Sequence, residues 1–450
     1  LGLTYAQFQD EPRSADLASQ YDTRKTVRQT QGGLVYERHV DGANTLRVML
    51  YYGQRDTTQF QAIPPAAQAA PTQAGGVIDL TRRYGGADLR WTSELEMAGR
   101  PLTLVGGFAY DTMRETRRGY QNFTGTGSSQ QLGVQGALRR DETNTVYNAD
   151  PYVQASWRVA PQWTLDAGLR YSTVDFDSRD HYIVPGNGDD SGSARYRRAL
   201  PVAAIGYEPA AGTRLYASYG RGFETPTLNE ISYRPGGLPG LNFGLAPALS
   251  THVEAGVKTR VGDGLLTAAV FQVSTDDEIV SAGSSGGRTT FRNAGRTRRD
   301  GLELGWSTRF ASQWRAQLAY TWLDARYRDD AGGGIRAGNR IPGIARQSAF
   351  ASLGWAPPQG WQAAIEGRYL SHLYADDAND AAAPGYAVAA LSAGYIKQIG
   401  AWELNAYARV DNLFDRHYAG SVIVNESNGR YYEPAPGRSV GMGLGVTYRY

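Results

Sequence analysis

Hydrophobic and polar residues alternate with a period of two in many segments of this chain. In the segment from Trp163 to Tyr171, Leu165 lies on the same face as both aromatic ends. Asp166 and Arg170 lie on the opposite face. The same alternation recurs in the segments that begin at Trp314, Trp361 and Trp402. Because successive side chains of a β-strand point to opposite faces, the pattern predicts strands along most of the chain.

The residues on the two faces indicate a sheet that spans a membrane. Several apolar faces begin with Trp and end with Tyr or Trp about eight residues later, and such aromatic rims border the lipid-facing band of transmembrane barrels. The polar faces carry Asp, Glu and Arg in mid-strand, which a polar lumen tolerates and a dry core does not. We therefore predict an all-β fold, a transmembrane antiparallel β-barrel. A soluble all-β carbohydrate-binding or structural protein is the alternative, and solubility without detergent would favour it.

Short turns and long polar segments alternate along the chain. Short turns are predicted at 40–44, 97–101, 160–162, 210–213, 261–264, 311–313, 357–360 and 398–401. Long polar segments are predicted at 119–142, 184–195, 232–247, 281–297, 329–343 and 419–436. Short turns at one end and long loops at the other are typical of outer-membrane barrels, and hairpin counting gives about 17 strands. A closed barrel needs an even number of strands. The first predicted strand lies at about 21–40, and we expect further strands before it.

Composition narrows the functional classes. The 450 residues include no Cys, which excludes thiol catalysis and Cys-ligated metal sites. The formal net charge is only +2, so nucleic acid is not an expected partner. All but three of the 46 basic residues are Arg. The five His are scattered without a zinc-binding motif, and the acidic clusters lack the spacing of a calcium loop. We therefore expect no enzymatic activity, no metal site and no cofactor.

Several segments resemble TonB-dependent transporters of the bacterial outer membrane. They are RGFETPTLNE (221–230), NAGRTRRDGLELG (293–305), DNLFDRHY (411–418) and APGRSVGMGLG (435–445), followed by a last strand with an aromatic end. The resemblance implies a 22-stranded barrel that encloses an N-terminal plug. Residues 1–450 would then form one partial barrel domain of about 17 strands, with the plug, the TonB box and about five strands upstream of it. A passive diffusion porin is the alternative of another class.

A second set of segments resembles one branch of that family, the YncD (PqqU) type. The set comprises DTRKTVRQTQGG (22–33), GALRRDE (136–142), PGNGDDSG (185–192), GNRIPGIAR (338–346) and SVIVNESNGRYYEPAPGR (421–438). This resemblance implies uptake of pyrroloquinoline quinone, and uptake of a ferric siderophore is the alternative. It also implies coupling to TonB–ExbB–ExbD through the plug, contact with outer-membrane lipid and lipopolysaccharide, and a monomeric protein.

The outer segments are rich in Arg and Tyr, which suit a flat polyacid or an anionic ferric chelate. Arg offers a planar fork for carboxylates, and Tyr offers a ring face and a hydroxyl. The candidate ligand-binding residues are Arg118, Tyr120, Arg139, Arg140, Tyr233, Arg234, Arg292, Arg346, Asn425, Arg430, Tyr431 and Tyr432. In the last loop we expect Arg430 to bind a ligand carboxylate and Tyr431 or Tyr432 to stack on its ring. The alternative is that this loop only packs against other loops.

A further set of charged residues is expected on the lumen face, where a plug would contact them. Each member lies on the polar side of an alternating segment. The set is Arg170, Glu366, Arg368, Glu403, Arg409 and Arg449.

Overall fold

A computed structural model describes residues 2–235, 238, 240–285, 288–426 and 428–449. Seventeen strands form one antiparallel sheet in which each strand pairs with the next long strand of the chain. The predicted all-β class and the expected number of strands are confirmed. None of the helices in these residues is long and apolar enough to cross a membrane.

The long strands have the following bounds. They are β1 (Arg24–His39), β2 (Asn44–Phe60), β3 (Val77–Met97), β4 (Arg100–Tyr120), β7 (Leu138–Ala160), β8 (Trp163–Asp180), β9 (Gly192–Ala210), β10 (Thr213–Glu224), β11 (Ala248–Val261), β12 (Gly264–Asp276), β15 (Thr297–Phe310), β16 (Trp314–Tyr327), β17 (Gln347–Trp355), β18 (Gly360–Leu370), β21 (Tyr386–Ile399), β22 (Trp402–Asp411) and β25 (Ser439–Tyr448).

The remaining elements lie in the connections. Four short hairpins pair β5 (Phe123–Thr124) with β6 (Gln131–Leu132), β13 (Ile279–Ser285) with β14 (Arg288–Asn293), β19 (Leu373–Tyr374) with β20 (Ala382–Ala383) and β23 (Ala419–Val422) with β24 (Tyr432–Pro434). The helices are α1 (Tyr5–Asp10) and α2 (Asp16–Gln20), with 3₁₀ turns at Pro65–Gln68 and Gly127–Ser129.

All eight predicted short turns join consecutive long strands at one end of the sheet. The turn between β3 and β4 has only two residues, Ala98 and Gly99, both with positive φ. Two such residues form the tight hairpin turn that matches the twist of the flanking strands. Ala is an uncommon residue in this conformation, whereas Gly adopts it without strain.

The predicted long polar segments coincide only in part with the connections between long strands. The segment 119–142 overlaps two strands, because β4 continues to Tyr120 and β7 begins at Leu138. Likewise β9 begins at Gly192, and 281–297 overlaps the β13–β14 hairpin, which begins at Ile279, and the start of β15. A polar composition indicates that a segment is exposed to solvent, but it does not show whether that segment is a loop or a strand. Main-chain pairing between strands continues beyond the apolar part of each strand. Two further long connections, 61–76 and 371–385, were not predicted.

One face of the sheet carries an exposed apolar belt. Leu353, Ile365 and Leu391 lie side by side on three neighbouring strands and remain 41%, 49% and 44% exposed. In an aqueous protein such a surface would be unusual, whereas a bilayer stabilises it. We call this face the outer face and the opposite, polar face the inner face.

Aromatic pairs lie in a row along the outer face, at the end of the sheet with the short turns. In each pair the centroids of the two side-chain rings lie 4.4 to 6.1 Å apart. They are Trp163–Tyr207, Phe310–Trp314, Trp361–Tyr395 and Trp402–Tyr448. This is the aromatic rim that the alternating segments predicted.

In the part of the chain that the structure describes, buried apolar residues form three separate clusters under the long connections. One contains Leu3 and Phe8 of the first segment together with Tyr432 of the last connection. Another contains Phe176 of β8 and four residues of the β10–β11 loop (225–247). The long connections are therefore packed against each other and against the strand ends, which fixes the side chains that they carry.

Candidate functional site

The β10–β11 loop folds onto the inner face near the outer ends of β4 and β7. Its first turn is closed by Thr227 and Glu230, whose side chains bond each other's main-chain N–H groups, 3.3 and 2.7 Å apart. This reciprocal pattern is the capping box of a helical turn. Leu228 and Ile231 then pack against Phe176. The packing carries the next residues of the loop onto β4 and β7.

Three arginines surround Tyr233 of this loop. Arg117 of β4, Arg140 of β7 and Arg288 of β14 lie with their guanidinium carbons 5.5, 5.5 and 4.8 Å from the centre of its ring. Arg117 also donates to the Tyr233 hydroxyl at 3.2 Å and to Ser232 Oγ at 2.6 Å. We call these four residues, Arg117, Arg140, Tyr233 and Arg288, the tri-arginine site.

The carboxylates near the tri-arginine site are already engaged with other groups. Glu142 accepts from Arg140 at 2.6 Å and from Asn144 at 2.9 Å. Glu115 accepts from Arg82 and from Asn144. Arg288 donates to the side-chain oxygen of Gln73, and its Nε has no hydrogen-bond partner in the described part of the chain. The site therefore holds more positive than negative charge.

The charge excess alters the titration of two groups at the site. Burial acts to raise the pKa of Tyr233, but the charges of Arg117, Arg140 and Arg288 outweigh it and lower that pKa. Burial lowers the pKa of Arg288 to about 10, and the neighbouring arginines act in the same direction. An anion bound here would relieve the repulsion among the arginines, and their planar forks suit carboxylate or phenolate oxygens.

Other predicted residues surround this site without forming part of it. Arg139 donates to the main-chain oxygens of Ala70 and Gln73 in the β2–β3 connection. Arg234 follows Tyr233 and acts electrostatically on Asp190. Tyr120 ends β4, opposite Leu138.

Arg118 lies away from the site, because strand alternation sends it to the other face. Its side chain is 48% exposed and pairs with Asp141 on the outer face at 3.5 Å. Its neighbour Arg117 faces inward and is 8% exposed. The period of two along β4 is the signal that could have selected Arg117 from this arginine-rich segment. No comparable signal in the sequence marks Arg288.

Asn425 and Arg292 hold the long connections together. Asn425 donates to Ser281 O and to Asp377 Oδ2, each at 2.9 Å. Asp377 also accepts from the Tyr327 hydroxyl at 2.7 Å. Arg292 donates to the main-chain oxygens of residues 331 and 332, both at 2.8 Å. Burial raises the pKa of Asp377, although its hydrogen bonds oppose this.

The last connection packs mainly against other connections. Tyr432 is 5% exposed, its ring centroid lies 5.5 Å from that of Phe8, and its hydroxyl donates to Ala382 O at 3.2 Å. Arg430 donates to Gly2 O at 3.2 Å. Tyr431 packs against the same cluster. The contacts of Tyr432 agree with the alternative in which this loop only packs against other loops. A ligand contact by Arg430 or Tyr431 stays a prediction.

The last ligand candidate is Arg346, which belongs to the β16–β17 connection. Its guanidinium carbon lies 5.4 Å from the centre of the Trp322 ring. Its Nε has no hydrogen-bond partner among the residues that the structure describes. It therefore lies outside the tri-arginine site.

The charged lumen set lies on the inner face and is paired within the barrel wall. Arg409 bonds both carboxylate oxygens of Glu366, at 3.0 and 2.7 Å. Arg449 bonds Glu403 at 2.5 Å. Arg170 bonds Asp150, also at 2.5 Å. The remaining member, Arg368, lies over the ring of Phe350. Contact of this set with a plug stays a prediction.

The family follows from a direct comparison with known proteins. A family model described as TonB dependent receptor-like, beta-barrel, matches residues 1–413. The chain belongs to this family. Its members are outer-membrane proteins of Gram-negative bacteria, so the exposed apolar belt of this TonB-dependent receptor barrel lies in that membrane.

Curated relatives of this receptor barrel are about one-quarter identical to it over the aligned residues. The pesticin receptor of Yersinia enterocolitica is 25% identical over 301 residues, which cover 66% of this chain and 43% of the relative. The probable TonB-dependent siderophore receptor PiuA of Acinetobacter baumannii is 23% identical over 341 residues, 69% of this chain and 42% of the relative. The chain thus spans less than half the length of these relatives.

Solved structures agree with the barrel fold. The crystal structure of the siderophore receptor PiuA from Acinetobacter baumannii superimposes with a TM-score of 0.76 at 19% identity, covering 96% of this chain and 65% of the other. The unliganded ferric citrate transporter FecA gives 0.78 at 17% identity, covering 99% and 64%. At this level of identity the similarity concerns the fold alone.

Proposed function

We propose that this barrel belongs to a receptor that takes up an anionic ferric chelate of the siderophore class through TonB-dependent active transport. The tri-arginine site is the observation that carries the proposal, because it concentrates positive charge and an aromatic ring on the inner face below the long connections. A relative named as a probable TonB-dependent siderophore receptor supports the ligand class.

In the proposed mechanism the ligand enters between the long connections and binds the arginines through its acidic oxygens. Each charge-assisted hydrogen bond would contribute about 1.5–3 kcal/mol. The ligand would be bound and released without chemical change. Energy from TonB–ExbB–ExbD would then act on the plug domain of the receptor and open a path through the lumen, with the receptor working as a monomer in lipid and lipopolysaccharide.

Pyrroloquinoline quinone is the second candidate ligand. It is a flat ring system with three carboxylates, so arginine forks and the face of Tyr233 suit it chemically. The segments that resemble the YncD (PqqU) branch favour it, and one of them, GALRRDE (136–142), contains Arg140 and Glu142 of the site region. A tricarboxylate and an acidic ferric chelate would both bind the arginines through anionic oxygens.

Direct binding measurements test the proposal. The purified protein is titrated with ferric citrate, with an uncharged ferric hydroxamate and with pyrroloquinoline quinone, and tryptophan fluorescence is followed. We expect Arg288→Gln to weaken binding of the anionic ligand by about 10–150-fold, equivalent to the loss of one charge-assisted bond. Arg118→Gln is the matched control, because this arginine faces outward. Unchanged affinity in Arg288→Gln, or a preference for the uncharged hydroxamate, would contradict the proposal.

A further inference from the structure

The β2–β3 connection packs closely against the outer end of β4. Gly75 in this connection has a φ of +82°, and a side chain there would collide with the main-chain oxygen of Tyr120. A side chain at Gly119 of β4 would likewise collide with the main-chain oxygen of Ala74. Gln73 lies in the same tight segment and is only 9% exposed. The close packing therefore gives Gln73 a fixed place beside the strand that carries Arg117.

Two donors meet at the side-chain oxygen of Gln73. Arg288 Nη2 donates to this oxygen, and the main-chain N–H of Gly75 donates to it at 2.9 Å. Because an amide accepts only through its oxygen, two donors at one position fix the orientation of the group. The main chain is held as well, since Arg139 donates to the carbonyl oxygen of Gln73 at 3.3 Å. The guanidinium of Arg288 is thus bound to an acceptor that cannot easily move.

This acceptor carries no charge. Among the residues that the structure describes, Arg288 forms no ion pair, whereas Arg140 pairs with Glu142 at 2.6 Å. A glutamate at position 73 would have nearly the same shape as Gln73 and would hold Arg288 equally well, but it would also neutralise the guanidinium. The amide fixes the position of Arg288 and leaves its positive charge uncompensated.

We propose that Gln73 is a positioning residue that sets the charge preference of the tri-arginine site. It holds Arg288 through a neutral oxygen, so that the charge of this arginine is available to an anionic oxygen of the ligand. The inference rests on the proposed function, because it assumes that the ligand binds these arginines. It goes beyond that function by assigning the preference for anions to a residue of another connection, which acts through Arg288.

The test replaces the amide of Gln73 by a carboxylate of the same shape. Affinity of the purified protein for ferric citrate is followed by tryptophan fluorescence. We expect Q73E to weaken it by at least about 10-fold, because the new carboxylate competes with the ligand for Arg288. The ratio of the affinities for ferric citrate and for an uncharged ferric hydroxamate should decrease as well. Q130E adds the same charge at an exposed position of the β4–β7 connection and should keep the wild-type ratio.

A double-mutant cycle separates an effect on Arg288 from a general change in the protein. In the R288Q background, Q73E should weaken ferric citrate binding by only about 3-fold or less, because both changes act on the same charge. A fully additive loss in the double variant would overturn the proposal. Wild-type affinity in Q73E, together with weakened binding in R288Q, would overturn the role of Gln73 alone. Unchanged affinity in R288Q would instead contradict the proposed function.

Stability and a second variant complete the test. The melting temperature of Q73E should equal or exceed that of the wild type, since a buried guanidinium gains a counter-charge. A lower melting temperature would overturn the proposal, because Glu at this position would then not pair with Arg288. Q73M removes the acceptor without adding charge and should weaken ferric citrate binding by about 2–10-fold, equivalent to one neutral hydrogen bond. Wild-type affinity in Q73M would show that Arg288 does not need this acceptor and would overturn the proposal as well.

Discussion

The inner and outer faces of β4 and β7 use the same residue types in opposite ways. On the inner face Arg140 and Glu142 form a largely buried pair, with side chains 10% and 8% exposed. On the outer face Arg118 and Asp141 form a pair with side chains 48% and 23% exposed. The two acids are adjacent in sequence. A shift of one residue along β7 therefore separates the electropositive tri-arginine site from a solvated surface pair.

Removing one acid from each pair should give the largest difference between the faces. We expect Glu142→Gln to lower the free energy of unfolding by about 3–5 kcal/mol, because it leaves Arg140 buried without its counter-charge. Asp141→Asn should cost no more than about 1 kcal/mol, as is typical of exposed pairs. Urea titration of the refolded barrel measures both. Equal effects would refute the assigned faces.

The same contrast can be tested in the apolar belt. Leu318 is 50% exposed on the outer face of β16, and Gln317 precedes it on the inner face. Leu318→Arg should cost about 2–4 kcal/mol at mid-membrane, whereas Gln317→Arg should be tolerated in the polar lumen. Folding yield into lipid vesicles provides the measurement. Similar yields for the two variants would mean that the faces of β16 are exchanged.

A third experiment asks which of two arginine-rich regions binds the ligand. Arg430 carries the predicted carboxylate contact of the last loop, and its guanidinium donates to Gly2 O. If it binds ligand, Arg430→Ala should weaken affinity by about 10–150-fold. Barrel assembly should be unaffected. Wild-type affinity for both ferric citrate and pyrroloquinoline quinone would remove Arg430 from the site and leave the tri-arginine site.

The smallest effect is expected from the buried Asp377. Its pKa in the folded protein is raised, so the stability that it contributes is complete below the unfolded pKa and declines as the pH rises through the folded pKa. As the pH increases through this range, the amide hydrogens of the connections that meet at Asn425 should consequently exchange faster. The measured rates are first corrected for the pH dependence of intrinsic exchange. Asp377→Asn should remove the dependence. Persistence of the same pH profile in that variant would assign it to another group.

Much of the fold follows from local features of the sequence. The period of two in segments such as Trp163–Tyr171 predicted both the strands and their lipid-facing sides, since alternation is a property of the extended backbone. Short turns were equally predictable, as at Ala98–Gly99. The boundaries of long loops were not predictable, because polar residues serve equally in loops and in strands that extend into water.

The candidate site depended on contacts between distant parts of the chain. Sequence composition pointed to Arg and Tyr in the outer segments, and Arg140 and Tyr233 were among the residues chosen. Only the folded connections bring Tyr233 to Arg117 and Arg288 to Gln73, which is 215 residues away in sequence. The physical reason is that the alternation of side chains is set within a few residues of a strand. The meeting of distant side chains depends instead on how the sheet curves and on what the apolar residues of each loop pack against. The sequence by itself determined the strands and their faces, and the tertiary structure decided which charges meet.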